Sequence, residues 1–282
     1  MPLSVALALG RALAWIWYHL IPIRRRVARE NLARAMPELS AEQQRQVIRG
    51  MFRHLAMGGV EMLRLPGLTQ ELAENLVEHE GLEIFEEARA LGRGVIVVTG
   101  HFGNFDLIAC AEALRGIPLH ALTRESSAKG VNRFWMKVRA RCGLHLLGVK
   151  TSPIKLGRIL KKGGVLVLMV DQHMPEGRGI PVPFFGRDAS TTHAPAVLAL
   201  ATGAVLLPVS SERLAAGRHR VKVDPPIELR REASRQAEIE RITLAINRWL
   251  EARIRARPDH WLWVHRRWKL SEKAGFTPRE SL

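Results

Sequence analysis

The residue types best suited to chemistry in this 282-residue chain stand together in Thr99-Gly-His-Phe-Gly-Asn-Phe-Asp-Leu107. A neutral histidine can take a proton from an attacking hydroxyl. A carboxylate on its other ring nitrogen fixes the tautomer and stabilises the imidazolium. His101 and Asp106 are the candidate pair, with His101 as base. On a regular helix two residues five apart point about 140° away from each other, so these two meet only if the chain turns between them. Gly100, Gly103 and Asn104 are residue types that make such a turn. Asn104 can then cap a following helix, leaving Asp106 in its first turn beside unpaired N–H groups. Taken bare, the spacing also fits a capping asparagine, a dipole-favoured aspartate and an unrelated histidine.

The elements around this segment give it a place. Gly94–Thr99 is a short β-branched run bounded by glycine and reads as a buried strand. His101 therefore sits just beyond the carboxyl end of a strand, where open α/β sheets hold their sites. Upstream, Ser40 with Gln43 forms a capping box opening a long helix to about Leu65, stopped by Pro66-Gly67, and a further helix covers Leu82–Leu91. Downstream the pattern alternates: helix Asn104–Arg115, strand Leu119–Thr123, helix Lys129–Arg141, helix Pro153–Lys162 and strand Val165–Val170. Helix Thr192–Thr202, strands Val205–Ser210 and Arg220–Val223, and a helix at Ser234–Arg257 complete it. Strands alternating with helices predict an α/β fold with a mostly parallel central sheet flanked by helices. We expect a single α/β domain over residues 24–282, preceded by an apolar helix over 1–23.

Composition sets the outer limits. Hydrophobic residues make up 47% and charged residues 25%, which excludes a disordered or collagen-like chain. Lys+Arg is 43 against Asp+Glu 27, a formal net charge of +16, which points to an anionic partner such as phospholipid, a phosphorylated ligand, an acidic protein or nucleic acid. The two cysteines, Cys110 and Cys142, have no metal-type spacing and are too few for a disulfide framework. Both are expected as small buried residues in a reducing compartment. Leu3–Ile23 is mostly apolar, interrupted by Arg11 and His19. The cationic cluster Arg24, Arg25, Arg26 and Arg29 follows this run, the reverse of a signal peptide, and would keep the remainder on the cytoplasmic side. The segment is expected to anchor to a membrane, either spanning it or lying in its interface, with an ordinary packed amphipathic helix as the plain alternative.

Longer stretches carry a resemblance. His101-Phe-Gly-Asn-Phe-Asp106 is similar to the His-x4-Asp/Glu motif of the lipid A biosynthesis acyltransferases, the lauroyl/myristoyl late acyltransferases, themselves related to the glycerolipid acyltransferases. Arg29-Glu-Asn-Leu-Ala-Arg-Ala-Met-Pro-Glu-Leu-Ser40 resembles the family's segment after its membrane anchor. Arg124, Asn132, Arg139-Ala-Arg-Cys-Gly143, Asp171-Gln172, Pro183-Phe-Phe-Gly186 and Ala194–Ala204 follow in the family's order. The tail Trp261-Leu-Trp-Val-His-Arg-Arg-Trp-Lys269 looks like its closing Trp-x-His-x-Arg-Trp-Lys. The resemblance spans nearly the whole chain.

It implies a glycerolipid-acyltransferase-like fold at the cytoplasmic face of the bacterial inner membrane. The reaction implied is transfer of a fatty acyl chain from acyl–acyl carrier protein to a hydroxyl of a lipid A precursor, with no cofactor. The acceptor hydroxyl attacks the thioester directly, so no serine or cysteine nucleophile is needed, and N–H or Arg donors stabilise the oxyanion. His101 would be the base and Asp106 its partner, with Asn104, Arg124, Arg139, Asp171 and Gln172 as candidate substrate-binding residues. The family's acidic partner is often Glu, which leaves other acceptors open: a lysophospholipid, an ornithine lipid or a phosphoinositide mannoside. With the acyl carrier protein, lipid acceptor and membrane surface as anionic partners, nucleic acid becomes a remote alternative, and no nucleic-acid partner is expected.

The remaining candidates have two readings each. Arg139 lies in a helix whose basic residues Arg133, Lys137 and Arg141 form a face flanking apolar ones. That face is either solvated or clamps lipid or phosphopantetheine phosphates. Asp171 ends a buried strand and either orients a catalytic neighbour or caps a turn. Asp171, His173 and Glu176 lack a further ligand, so no metal is expected. Phe184-Phe185 is core or channel wall. Trp261, Trp263 and Trp268 fit either tight packing or a bilayer interface.

Overall fold

The computed structural model describes residues 2–21, 23–123, 129–230 and 234–269. The chain runs α1 (Leu3–His19), α2 (Arg25–Ala35), α3 (Ala41–Met62), α4 (Gln70–Leu76), β1 (Val77–Glu80), α5 (Leu82–Ala90), β2 (Val95–Thr99) and α6 (Phe105–Leu114). It continues with β3 (Leu119–Thr123), α7 (Lys129–Arg141), β4 (His145–Gly148), α8 (Pro153–Lys161), β5 (Val165–Met169), β6 (Gly179–Phe184) and β7 (Arg187–Thr192). The last described elements are α9 (Ala194–Thr202), β8 (Val205–Arg213), β9 (His219–Val223) and α10 (Arg235–Ala256).

Seven strands form one sheet in the order β1-β9-β8-β2-β5-β3-β4. Every neighbouring pair is parallel except the β8–β9 hairpin. The mostly parallel sheet expected from the alternating pattern is present. β2 is buried on both faces, which explains its uninterrupted apolar run. Ile96 and Val98 pack into one core with Leu166, Leu168, Leu206 and the inner face of α10. Val95 and Val97 pack into a second core with residues of α5, α6 and α7. Thr99 continues the Val95–Val97 face, so the chemistry-bearing loop leaves the sheet between these two layers. Cys110 and Cys142 are buried and form no disulfide.

The capping box at α3 forms as its residues predict, with Ser40 accepting from Gln43 N and donating its own N–H to the Gln43 side chain. Several elements lay outside the sequence expectation: α2, α4, β1, β4 and the separate β6–β7 hairpin. β6 carries Pro181 and Pro183 at alternate positions, a composition that suits only an edge strand and masks it in sequence.

The N-terminal segment forms α1, but no described helix is long and apolar enough to cross a membrane. One face of α1, with Ala6, Leu7, Gly10, Ala14 and Tyr18, is buried. A Cβ on Gly10 would lie 2.8 Å from Met57 Cα, so glycine is what lets α1 and α3 approach this closely. A second stripe, Val5, Leu9, Leu13, Ile16 and Leu20, is apolar and at least 38% exposed at every position. The expected anchor is thus a helix packed on the domain with an apolar stripe turned outward.

Candidate active site

The site begins with strand register. β2 and β5 are parallel neighbours with Thr99 opposite Met169. Two residues beyond each strand, the same offset sets His101 level with Asp171. The His101 backbone N–H donates to Asp171 Oδ2 at 2.7 Å, and His101 Nδ1 lies 2.7 Å from Asp171 Oδ1. Trp261 Nε1 donates to Oδ2 at 2.9 Å. A carboxylate only accepts, so Nδ1 carries the ring hydrogen and Nε2 presents a lone pair. The Gln172 amide nitrogen lies 3.3 Å from that lone pair.

Asp171 is 2% exposed. Burial alone would raise its pKa. The charge of His101, the hydrogen bonds from its ring and backbone, and that from Trp261 outweigh burial and hold the carboxyl at about 2. For His101, burial works downward. The Asp171 charge and hydrogen bond, with a further contribution from Asp106, overcome it and raise the pKa above the usual value.

Asp106 has a different partner. Its Oδ1 accepts from Arg139 Nε at 2.8 Å and from the Arg139 NH2 group at 2.6 Å. Burial raises its pKa, against the opposing pull of Arg139. The physical reason is the cap. Asn104 accepts from Leu107 N and starts α6 at Phe105, which places Asp106 in the first turn, within reach of α7. The Phe105 ring stands edge-on to the His101 ring at 4.9 Å. The structure therefore brings His101 together with Asp171, and Asp106 together with Arg139. Thr123 Oγ1 is 3.4 Å from the Arg139 NH1 group. Of the other sequence candidates, Asn104 is buried and also donates to Glu61 Oε2 at 2.7 Å, and Arg124 lies outside the described residues.

The loop that carries His101 is held from behind. Gly103, at φ +51, donates its N–H to the His260 carbonyl, and Phe102 bridges Trp261. Ser211 Oγ donates to the Phe102 carbonyl at 3.1 Å. Glu61, on the far side of Asn104, forms a buried pair with Arg213. Burial would raise the Glu61 pKa, but Arg213 and His219 bring it to about 2.

Apart from the Trp261 indole on Asp171, the tail motif serves packing. Trp261, Trp263 and Trp268 are each no more than 1% exposed. Asn31 donates to the carbonyls of both Trp263 and His265 at 2.7 Å. His265 Nε2 accepts from His173 N at 3.0 Å, and burial pushes the His265 pKa down to about 4, in keeping with an acceptor ring. Arg267, fully buried, donates to Ser190 O and Thr191 Oγ1 and lies over the Phe184 ring at 4.9 Å. Phe184 itself is core. Trp261 and His260 are the site-forming residues that sequence reasoning missed. The Trp-x-Trp spacing was the visible signal, but nothing in it says which carboxylate the indole reaches.

His101, Asp106 and Arg139 line a cavity of about 370 Å3 whose walls come from α6 and from sheet strands on both sides of β2. Its walls are mainly apolar, including Val97, Ala121, Val167 and Val221. A basic imidazole nitrogen therefore meets a long greasy slot, beside a guanidinium fixed by a carboxylate. That combination suits proton abstraction next to an aliphatic substrate.

Comparison with known proteins agrees. A family model for the bacterial lipid A biosynthesis acyltransferases matches residues 1–270. A lipid A biosynthesis palmitoleoyltransferase of Escherichia coli K12 is 27% identical over 279 residues, covering 95% of this chain and 86% of the relative. A lauroyltransferase of the same organism is 24% identical over 273 residues, covering 95% and 87%. A phosphatidylinositol mannoside acyltransferase of Mycolicibacterium smegmatis is 25% identical over 185 residues, covering 64% and 60%. With a resemblance that runs from α1 through the tryptophan-rich tail, this chain belongs to the bacterial lipid A biosynthesis acyltransferase family and is an acyltransferase.

Proposed function

We propose that this enzyme moves a fatty acyl chain from acyl–acyl carrier protein to a hydroxyl of a lipid A precursor, at the cytoplasmic face of the inner membrane. The observation that carries the mechanism is the His101–Asp171 contact, which leaves Nε2 as the only ring nitrogen free to accept a proton. The acceptor hydroxyl displaces Gln172 at Nε2 and attacks the thioester carbonyl, its proton passing to His101. Asp171 stabilises the imidazolium. The tetrahedral oxyanion is stabilised by Arg139 and the N–H groups at the start of α6. On collapse the carbon–sulfur bond breaks, and His101 returns its proton to the departing thiolate. In this reading Asp106 acts through Arg139 rather than on the imidazole, and the apolar cavity houses the acyl chain.

Membrane association rests on the outward stripe of α1 and the adjoining Arg24, Arg25, Arg26 and Arg29. A helix of this kind lies in the headgroup boundary with its apolar stripe inserted. Purified protein supplied with acyl–acyl carrier protein and a lipid A precursor should yield a product heavier by one acyl group. Folded His101→Ala protein should yield none, and transfer at the wild-type rate by that variant would overturn the mechanism. The mycobacterial relatives favour one second reading, the same chemistry on a phosphatidylinositol mannoside. Lipid profiling of a deletion strain separates the two, since intact lipid A with another lipid lacking an acyl chain would reassign the acceptor.

A further inference from the structure

The cavity reaches past β2 on both sides: its lining is mainly apolar towards β5, β3 and β4, and turns polar at the β1 edge beyond β8 and β9. β1 lies three strands from β2 in the sheet, an offset of about 14 Å from the strand that leads into His101. There His79, on β1, and Glu112, on α6, both line the cavity. His79 Nε2 is 2.7 Å from Glu112 Oε1, and Arg115 donates through NH1 to His79 Nδ1 at 3.2 Å. Since Arg115 fills Nδ1, the ring hydrogen sits on Nε2 and points at the carboxylate. Both side chains are at most 10% exposed. Leu82 and Phe85 of α5 flank them.

A buried carboxylate and imidazole in an aliphatic slot are costly neighbours for a methyl end. A methylene pressed against them gains no hydrogen bond and strips away what polar solvation they have. Apolar walls would instead reward each further methylene by about fourfold in binding. We propose that the His79–Glu112 pair, braced by Arg115, is the stop that sets the longest acyl chain this enzyme accepts. The proposal rests on the reading of the cavity as the acyl site. It makes His79 and Glu112 specificity-determining residues, remote from the reacting atoms. The α6 rise from Asp106 to Glu112, about 9 Å, ties stop and site to one rigid helix, so the measured length is fixed.

The test is a donor series of saturated acyl–acyl carrier proteins differing by two carbons, run on wild type, His79→Ala/Glu112→Ala and Glu112→Gln. Binding of the matching free fatty acids, read by displacement of a fluorescent fatty acid, is measured in parallel. The double alanine variant opens the slot and removes both polar walls. It should shift the optimum of kcat/KM and of fatty-acid affinity to longer chains, gaining about fourfold per added methylene beyond the wild-type limit. Glu112→Gln keeps shape and polarity and should keep the wild-type limit. A folded double variant with an unchanged length profile overturns the stop. Wild-type protein that binds no fatty acid overturns the acyl-site reading itself, which separates the two failures. If the double variant does not fold, His79→Ala and Glu112→Ala are run singly, and an unchanged profile in both has the same meaning.

Discussion

Replacing Asp171 by asparagine tests the central geometry with a change of one atom. Asp171 receives two N–H groups on Oδ2, from the His101 backbone and Trp261, and the ring N–H on Oδ1. An amide can satisfy only one side. With its oxygen towards the ring, its NH2 faces two buried N–H donors and leaves them unpaired, at about 1–3 kcal/mol each. With its NH2 towards the ring, both donors keep an acceptor, and the imidazole must receive a hydrogen at Nδ1 and move its own to Nε2. The second orientation wins by about 2–6 kcal/mol before the tautomer exchange, and it removes the base from the substrate side. That difference corresponds to roughly 30-fold to 10^4-fold fewer molecules with a basic Nε2. The imidazolium also loses its negative partner, so the expected fall in kcat is about 10^3- to 10^4-fold, as when a catalytic histidine is held in the wrong tautomer elsewhere. The assay is initial-rate transfer from acyl–acyl carrier protein, with thermal unfolding to confirm the fold and 15N shifts to read the His101 tautomer. Wild-type kcat in folded Asp171→Asn, or a ring still protonated at Nδ1, would refute the reasoning.

Other outcomes follow from the same structure. Asp106→Asn keeps one acceptor for Arg139 but loses the charge, so kcat/KM should fall by about tenfold, far less than for Asp171→Asn. Because the Asp106 charge helps raise the His101 pKa, the acidic limb of the kcat/KM profile should also move to lower pH, and an unmoved limb counts against that coupling. Asp171 and Glu61 have folded pKa values of about 2 against usual values of 3.8 and 4.5. Their stabilisation is present above those usual values and is lost as pH falls towards 2, so urea midpoints should drop through that window; a flat profile contradicts it. Leu9→Glu/Leu13→Glu/Ile16→Glu should reduce co-sedimentation with anionic vesicles while sparing transfer to a detergent-dispersed acceptor. Equal sedimentation would remove α1 from the membrane contact.

What could be read without the fold was local. The capping box at Ser40, the asparagine cap at Asn104 and the buried strand at Val95–Thr99 each rest on a few adjacent residues, and each forms where its residue types place it. The partner of His101 could not be read in that way. His101 and Asp106 are near in sequence, but His101 and Asp171 are joined by the adjacency of β2 and β5, which no local pattern states. The resemblance identified Asp171 as a site residue without supplying its contact. β1 was hidden because Val77–Glu80 carries charge at every other position, and the β6–β7 hairpin because its prolines read as loop.

Trp261 has a consequence in time as well as in space. The indole that steadies Asp171 and the His260 carbonyl that holds Gly103 belong to a stretch the ribosome adds more than 150 residues after the loop they support. The sheet, the cavity and the His101 loop can all be translated before this brace exists. Under the proposed mechanism, competence is therefore tied to synthesis of the chain through Trp261. A nascent or prematurely terminated product ending before Trp261 carries His101, Asp106, Arg139 and Asp171 and yet lacks the indole that holds Asp171, so the proposed mechanism predicts that such products are inactive.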